Sequence, residues 1–504
     1  DGSDPAAWYA STASAREFAL EGGGPTLIHV ETMRGCGHAH HHDDLYLGNE
    51  SGTPPGYVDR ELLAYWEAKD PLPTHRQLLL DLGLEESKLA DMEEVEQRDI
   101  DAARQELEDM AWPEPESVTK GVTSLNDAET HEERFNRLST VSDAEYPSSP
   151  LDVGVTALTY AEKGGWTYAR SIQQAMADIA TRHGEDCMFI GEDMEVAGAF
   201  GMNMALKNAG HADKLIDMPL CEAAIVHTGV GAALSGMRPM VEIQFGGFAA
   251  LGFNALLNNA AMLRWRWGAE CPMTIRIPLG ARTRSGPFHA NMIESWFAND
   301  PGLVVVAAGT PQDAYDLLME SAELNDPVLF LEHIGLYGLR GGLTGWGQNI
   351  NQNVDTETVQ QAIAKGERYK LGKAAVVRGG RDVTLVTWGS MLHVAQQAAE
   401  ELAREDIEVE IVDLRTLLPF DAQTCIESVS RTGRLVVLQE GQWCGGLGHS
   451  IQSRILESCF YTLESAPLVI GALDTPVPFS PPLENFTIPS LEHVVKVLRL
   501  TTQS

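Results

Sequence analysis

Four histidines and two aspartates stand almost side by side in "RGCGHAHHHDDLYLG", residues 34–48. His38, His40, His41 and His42 before Asp43 and Asp44 read as metal ligands, as a phosphate-binding loop or as a merely solvated turn. Neighbours in one short loop seldom converge on a tetrahedral ion, and no second ligand cluster is evident. No metal ligand is therefore assigned, and a solvated loop is expected for His40 to His42. Glu222 opens the small, apolar stretch "EAAIVHTGVGAALSG". It reads either as an N-terminal carboxylate favouring the helix dipole or as a carboxyl held in an apolar site. In such a site its pKa would rise and it could share a proton with a ligand nitrogen. His289 lies in "GARTRSGPFHANMIESW", just after Arg282 and Arg284. Loop histidines are usually solvated, but a loop leaving a parallel strand is where α/β enzymes place chemistry. Two glycine-rich stretches carry less. "GVGAALSG" lacks the strand-then-helix spacing of a dinucleotide fingerprint. "GQWCGGLGHS", residues 441–450, reads as a phosphate cradle or as a tight turn with close helix packing, and the turn is favoured.

These residues must be positioned by an α/β framework. After Thr159 helices alternate with short apolar strands: "SIQQAMADIATRHG" and "CMFIGED", then "EAAIVHTGVGAALSG" and "PMVEIQF", then "MTIRIPLG", "LVVVAAGT", "PQDAYDLLMESAEL" and "PVLFLE". A second unit begins near Tyr369 with "DVTLVTWGS", "MLHVAQQAAEELARE", "IEVEIVDLR", "DAQTCIESVSRTG" and "RLVVLQE". Such alternation predicts mainly parallel sheets covered by helices on both faces. Residues 1–48 predict a helix, a buried strand "PTLIHVETM" and a loop. Residues 54–112 predict acidic helices, and 113–150 a polar linker, partly disordered.

Composition narrows the partners. The 504 residues allow two to four domains. No run of eighteen apolar residues suggests a membrane span, and the start lacks a signal-peptide pattern. It also lacks methionine, as a segment of a longer precursor would. With 36 basic against 72 acidic residues, a formal charge of −36 repels nucleic acid and anionic membranes and points to basic partners or a salty interior. Seven scattered cysteines without a C-x-x-C pair predict reduced thiols in a cytosol-like compartment.

The motifs together carry a resemblance. "GEDMEV", "DMPLCEAAIVHTGVGAALSGMRPMVEIQFGGF" and "RIPLGARTRSGPFHANMIESWFANDPGLVVV" resemble the β subunit of thiamine-diphosphate-dependent 2-oxo acid dehydrogenases. "DVTLVTWGSM", "VEIVDLRTLLPFD", "LVVLQEG" and "APLVIGALDTPVPFSPPLE" resemble the transketolase-like C-terminal domain of that subunit. The pattern "GPTLIHVETMRG…GH…DD" before "KDPLPTHRQLL" resembles the C-terminal part of the α subunit. The resemblance thus implies four regions. Residues 1–115 are the α-type part of a diphosphate-binding domain and 116–160 a polar linker. Residues 161–345 form a pyrimidine-binding domain with a parallel sheet, and 346–504 a transketolase C-terminal-like α/β domain.

The same resemblance implies an activity and its residues. The activity is oxidative decarboxylation of a 2-oxo acid, pyruvate or branched-chain, with acyl transfer to the lipoyl group of an acyltransferase core. By this resemblance Glu222 is the glutamate that hydrogen-bonds the pyrimidine ring of thiamine diphosphate, and Phe248, in "FGGF", the aromatic that stacks on it. His289 and His38 correspond to the histidines that handle protons, His38 beside the diphosphate. Arg282 and Arg284 orient a carboxylate or the loop itself. Magnesium ligands are expected from a G-D-G motif that does not occur here, so an α-type diphosphate-binding segment must come from a longer precursor or another chain. "LMESAELNDP" aligns with a potassium-binding turn of some β subunits. A homodimer is expected, located in the cytoplasm, or in the mitochondrial matrix if the source is eukaryotic. The alternatives are a transketolase-type or acetoin-cleaving thiamine enzyme, or a non-catalytic subunit without its own cofactor site.

Overall fold

The structure is a computed structural model that describes residues 1–37, 43–48, 56–111, 120–125, 127, 133, 136, 154–195, 200–338 and 348–503. The chain forms two compact units, Asp1–Pro113 and Glu114–Ser504.

The first unit is helical. Its main helices are Pro5–Leu20, Arg60–Glu67, Pro71–Asp81 and Glu86–Asp109. Asp4, Asp59 and Asp70 cap the first three by accepting amide hydrogens of the first turn, and proline opens two of them. The expected buried strand "PTLIHVETM" is not one here: residues 25–32 pair with no strand, and Leu27 is 95% exposed. An apolar run becomes a strand only against another strand's hydrogen-bonding edge. Among the described residues this unit contains no other strand.

The second unit holds two sheets. The first takes β1 (Cys187–Gly191), β2 (Leu215–Asp217), β3 (Arg238–Glu242), β4 (Thr274–Leu279), β5 (Val304–Val306) and β6 (Val328–His333). The second takes β7 (Ala375–Arg378), β8 (Val383–Thr387), β9 (Val409–Asp413), β11 (Leu435–Gln442) and β12 (Leu468–Ala472) in the order β12-β11-β8-β9-β7. A further strand, β10 (Thr416–Leu418), leaves the second region and pairs antiparallel with β5, giving the first sheet the order β10-β5-β6-β4-β3-β1-β2. The other ladders are parallel except β7 with β9.

Period-two alternation sorts each strand between two cores. Phe189, Met240, Val328 and Phe330 join the helices Tyr168–His183 and Pro311–Glu323 on one side. Ile190, Val241, Ile275 and Leu329 join the helix Glu222–Leu234 on the other, in a core that continues into Val376, Val386, Val412 and Val437 of the second sheet. Because both faces are covered, β4 reads as "TIRIPL" with every residue buried.

Part of the polar linker is fixed rather than free. The Ser124 amide donates to Asp326 at 2.7 Å, Arg368 donates to the Ser124 carbonyl at 3.0 Å, and Leu125 packs on the core. No described helix is long and apolar enough to cross a membrane.

Candidate active site

One buried cation organises the ends of the central strands. Arg276 of β4 is 1% exposed; it donates to Glu242 of β3 at 2.6 Å and to Glu332 of β6 at 2.6 and 2.9 Å. Burial by itself lowers the pKa of the guanidinium, but the two carboxylates more than offset that and raise it. Tyr337 adds a hydrogen bond to Glu332 at 2.6 Å. From Glu242 the network runs outward: Gln244 donates to the Glu242 carboxylate and to the Glu192 carbonyl, each at 3.0 Å. The Glu192 carboxyl is itself buried, with Oε1 lacking a partner among the described residues. Burial raises its pKa, and the charges of Glu222, Asp193 and Glu242 add to the shift.

Glu222 sits at the first position of the helix Glu222–Leu234 and is 6% exposed. Its carboxylate accepts no hydrogen bond from a described residue, so an N-terminal carboxylate is present but not used as a cap. The helix packs against the tight turn Gly246–Gly252, which carries Phe248; a Cβ on Gly252 would lie 3.6 Å from the Glu222 carbonyl. The two glycines of "FGGF" permit a still closer approach on the other side. A Cβ at Gly247 would meet Asn291 and the Phe288 carbonyl at 2.9 Å, so this turn and the histidine loop lie backbone against backbone. His289 is held edge-on between Phe245 and Phe248, with ring centroids 4.6 and 5.6 Å away. Its Nδ1 lies 3.2 Å from the Ser285 carbonyl; since a carbonyl only accepts, Nδ1 carries the proton and Nε2 is left as the basic nitrogen.

Glu222, Phe248 and His289 thus come from three segments that pack in sequence. His38, with His40 to His42, lies outside the described residues. Arg282 and Arg284 do not reach toward Glu222; their side chains turn to Asn485 and, for Arg284, to Glu484 of the C-terminal region. "GQWCGGLGHS" is the tight turn: a Cβ at Gly446 would fall 1.7 Å from the Gln439 amide nitrogen, and the acidic Asp474 already accepts the Cys444 amide hydrogen at 2.7 Å. In the "LMESAELNDP" turn, the carbonyls of Ala322, Leu324 and Asn325 accept from Arg238 and Arg264. Among the described residues, no three His, Cys, Asp or Glu side chains group as a metal site would require.

Sequence reasoning did not single out the carboxylates behind the histidine loop. Glu440 of β11 accepts from His333 at 2.8 Å, from Ser390 at 2.6 Å and from the Ala281 amide at 2.7 Å. Burial would raise its pKa, but His333 and these donors prevail and hold it down at about 2. Glu294 is also buried, at 2% exposure, with Oε2 lacking a partner among the described residues. Burial pushes its pKa up to about 7, and the charge of Glu440 adds to that. Nothing in "QEG" or "IESW" signals either role, since each depends on which strands face one another.

Three families match the chain: "Dehydrogenase E1 component" over residues 1–116, "Transketolase, pyrimidine binding domain" over 165–339 and "Transketolase, C-terminal domain" over 372–494. The chain is 40% identical to the acetoin:2,6-dichlorophenolindophenol oxidoreductase subunit beta of Cupriavidus necator, covering 62% of this chain and 87% of that one. It is 34% identical to the pyruvate dehydrogenase E1 component subunit beta of Staphylococcus epidermidis, covering 67% and 98%. It is 35% identical to the subunit of that name from Bacillus subtilis, covering 63% and 93%.

The state of Glu294 has a measurable consequence. Between the ordinary value of 4.5 and about 7, the folded chain keeps a proton that the unfolded chain loses. Stability should therefore fall as pH rises through that window, by about 3 kcal/mol, and stay level above it. Glu294→Gln should abolish this part of the slope, raising the urea midpoint at pH 8 while matching the parent at pH 4.5. Parallel pH profiles for the two proteins would show that ionising Glu294 costs nothing.

Proposed function

Because the chain belongs to the family of thiamine-diphosphate-dependent 2-oxo acid dehydrogenase E1 components, with an α-type segment and a β-type body in one polypeptide, we propose that it decarboxylates a 2-oxo acid and passes the acyl group to a lipoyl-bearing acyltransferase core. The observation that carries this reading is the buried Glu222 side chain, without a hydrogen-bond partner among the described residues, on a helix that packs against the turn bearing Phe248, which in turn contacts His289.

The residues present fit the pyrimidine half of the cofactor. Among the described residues, the unpartnered Glu222 carboxylate and the orphaned Glu192 carboxyl oxygen could accept from a nitrogenous ring, and the aromatic ring of Phe248 offers it an apolar face. When bound, thiamine diphosphate supplies the carbon that adds to the 2-oxo acid and takes up the electrons left by carbon dioxide. Glu222 would hold a proton at the pyrimidine nitrogen. Phe248 gives the ring an apolar face. His289, its tautomer set by the Ser285 carbonyl, accepts or returns a proton at Nε2 during acyl transfer. His38 enters this proposal only through its match to the family's α-type histidine.

Magnesium does not fit the described residues, which group no acidic ligand set. In this proposal its ligands come with an α-type diphosphate-binding segment. The first unit has the surface to receive one: Tyr9, Leu20, Leu27 and Leu72 are 80, 69, 95 and 80% exposed. Potassium would have to compete with Arg238 and Arg264 for the carbonyls of the 318–327 turn, which does not favour it. A homodimer is supported by the exposed positions Ala224, His227, Gly231 and Leu234 on one helix and by the exposure of the apolar Leu220 and Leu251. The acidic surface suits a basic subunit-binding partner. A cytoplasm-like compartment agrees with seven unpaired cysteines. A second reading, acetoin cleavage, is favoured by the 40% identity to the acetoin oxidoreductase subunit.

Three measurements test this reading. Glu222→Gln should lower turnover at least about 100-fold with pyruvate, a branched-chain 2-oxo acid or acetoin, whichever is the substrate, and leave the thermal midpoint unchanged. Near-normal turnover would remove Glu222 from the mechanism. His289→Ala should lose lipoyl-dependent activity far more than dye-coupled decarboxylation; equal losses would place it in the first step. Light scattering on the purified chain should give the mass of two chains, and a folded species with the mass of one would rule the dimer out.

A further inference from the structure

The loop from Gly280 to Ala290 carries two non-glycine residues in the left-handed region, Arg282 at φ 75° and Arg284 at φ 61°. An L-residue does not hold that conformation unaided, and neighbours must over-determine it. Residues of the C-terminal region supply hydrogen bonds to both. Glu484, wholly buried in the helix Pro481–Thr487, accepts the Arg282 amide hydrogen on Oε1 at 3.0 Å and the Arg284 guanidinium on Oε2. Asn485 Oδ1 accepts from both guanidiniums, at 3.2 and 3.0 Å, and the Pro481 carbonyl accepts from Arg284 at 3.2 Å. The Phe479 ring lies on Gly286 so closely that a Cβ there would fall 2.3 Å from it. Glu440 holds Ala281, the residue before Arg282, through its amide.

We propose that Glu484 is a positioning residue for His289, acting through Arg282 and Arg284 to set the loop conformation that places the imidazole between Phe245 and Phe248. This rests on the proton-handling role proposed above for His289. The path is short. Arg284 is followed by Ser285 and Gly286, whose carbonyls take the His289 Nδ1 hydrogen at 3.2 Å and the His289 amide hydrogen at 3.3 Å. An ion pair that merely joined two domains would need only the side chains. Glu484 also takes a backbone amide inside the loop, at one of the two left-handed residues, and so specifies backbone conformation. Glu440, anchored by His333 and Ser390, does the same one residue earlier.

The test is hydrogen–deuterium exchange on the full chain, and steady-state kinetics on that chain assembled with its α-type diphosphate-binding segment, carrying Glu484→Ala, Glu484→Gln or Asn485→Ala. In Glu484→Ala, amides of residues 281–290 should exchange at least about tenfold faster while both sheets keep their protection. Turnover should fall by about 10- to 100-fold, as a displaced catalytic group does, with KM for the 2-oxo acid within about twofold. Glu484→Gln should lie between, because its amide oxygen still accepts from Arg282 while its NH2 opposes Arg284. If Glu484→Ala does not fold, Glu484→Gln and Asn485→Ala decide by the same loop-specific gain in exchange. Unchanged exchange of 281–290 in a folded Glu484 variant overturns the proposal, as does equal loosening of the whole C-terminal region. A loosened loop together with a fully active His289→Ala variant would leave the clamp standing and remove the role proposed for His289.

Discussion

The Arg276 guanidinium, buried between Glu242 and Glu332, is the constraint on which the rest of the second unit depends. A charge inside a sheet is tolerable only with complete compensation, and losing either carboxylate would strand it. The arrangement therefore fixes how β3, β4 and β6 align at the ends from which the functional loops emerge. Glu242 passes this order to Gln244, and Gln244 to the carbonyl of Glu192. Each loop around Glu222 and His289 thus starts from a strand end already held in register. Such an ion pair contributes less to net stability than to specifying one arrangement, since an apolar replacement could match its energy but not its geometry.

The two sheets are physically one body. β10 leaves the C-terminal region to extend the first sheet, and the core between them runs without a break from Ile275 to Val437. Glu440 and Glu484 use that rigidity to reach across and hold the loop carrying His289. The C-terminal domain therefore does more than add bulk. In contrast, among the described residues the first unit buries few larger apolar side chains, Tyr46, Leu63 and Leu89, and its extended segment 25–32 is paired within it by no strand.

The sequence by itself determined the alternating framework, because helix and strand periodicity are short-range signals; Glu222 and His289 were marked as candidates by their local surroundings, and Phe248 by the family resemblance alone. The helix starting at Glu222 and the strands "MTIRIPL" and "RLVVLQE" stand where the pattern puts them. "PTLIHVETM" shows the limit: its apolar pattern is that of a strand, yet pairing needs a partner that the pattern does not contain. Tertiary structure alone decided the roles of Arg276, Glu440, Glu294 and Glu484. Each is an ordinary charged residue in sequence. Its function arises from neighbours 34 to 202 residues away that chain folding brings within hydrogen-bonding distance. Arg282 and Arg284 make the same point from the other side: the sequence marked them as candidates to orient a carboxylate or the loop, and the fold turned them to Glu484 and Asn485. A carboxylate's environment, and with it whether it is ionised near neutral pH, is set by burial and by facing charges, which are properties of the folded chain and not of the residue.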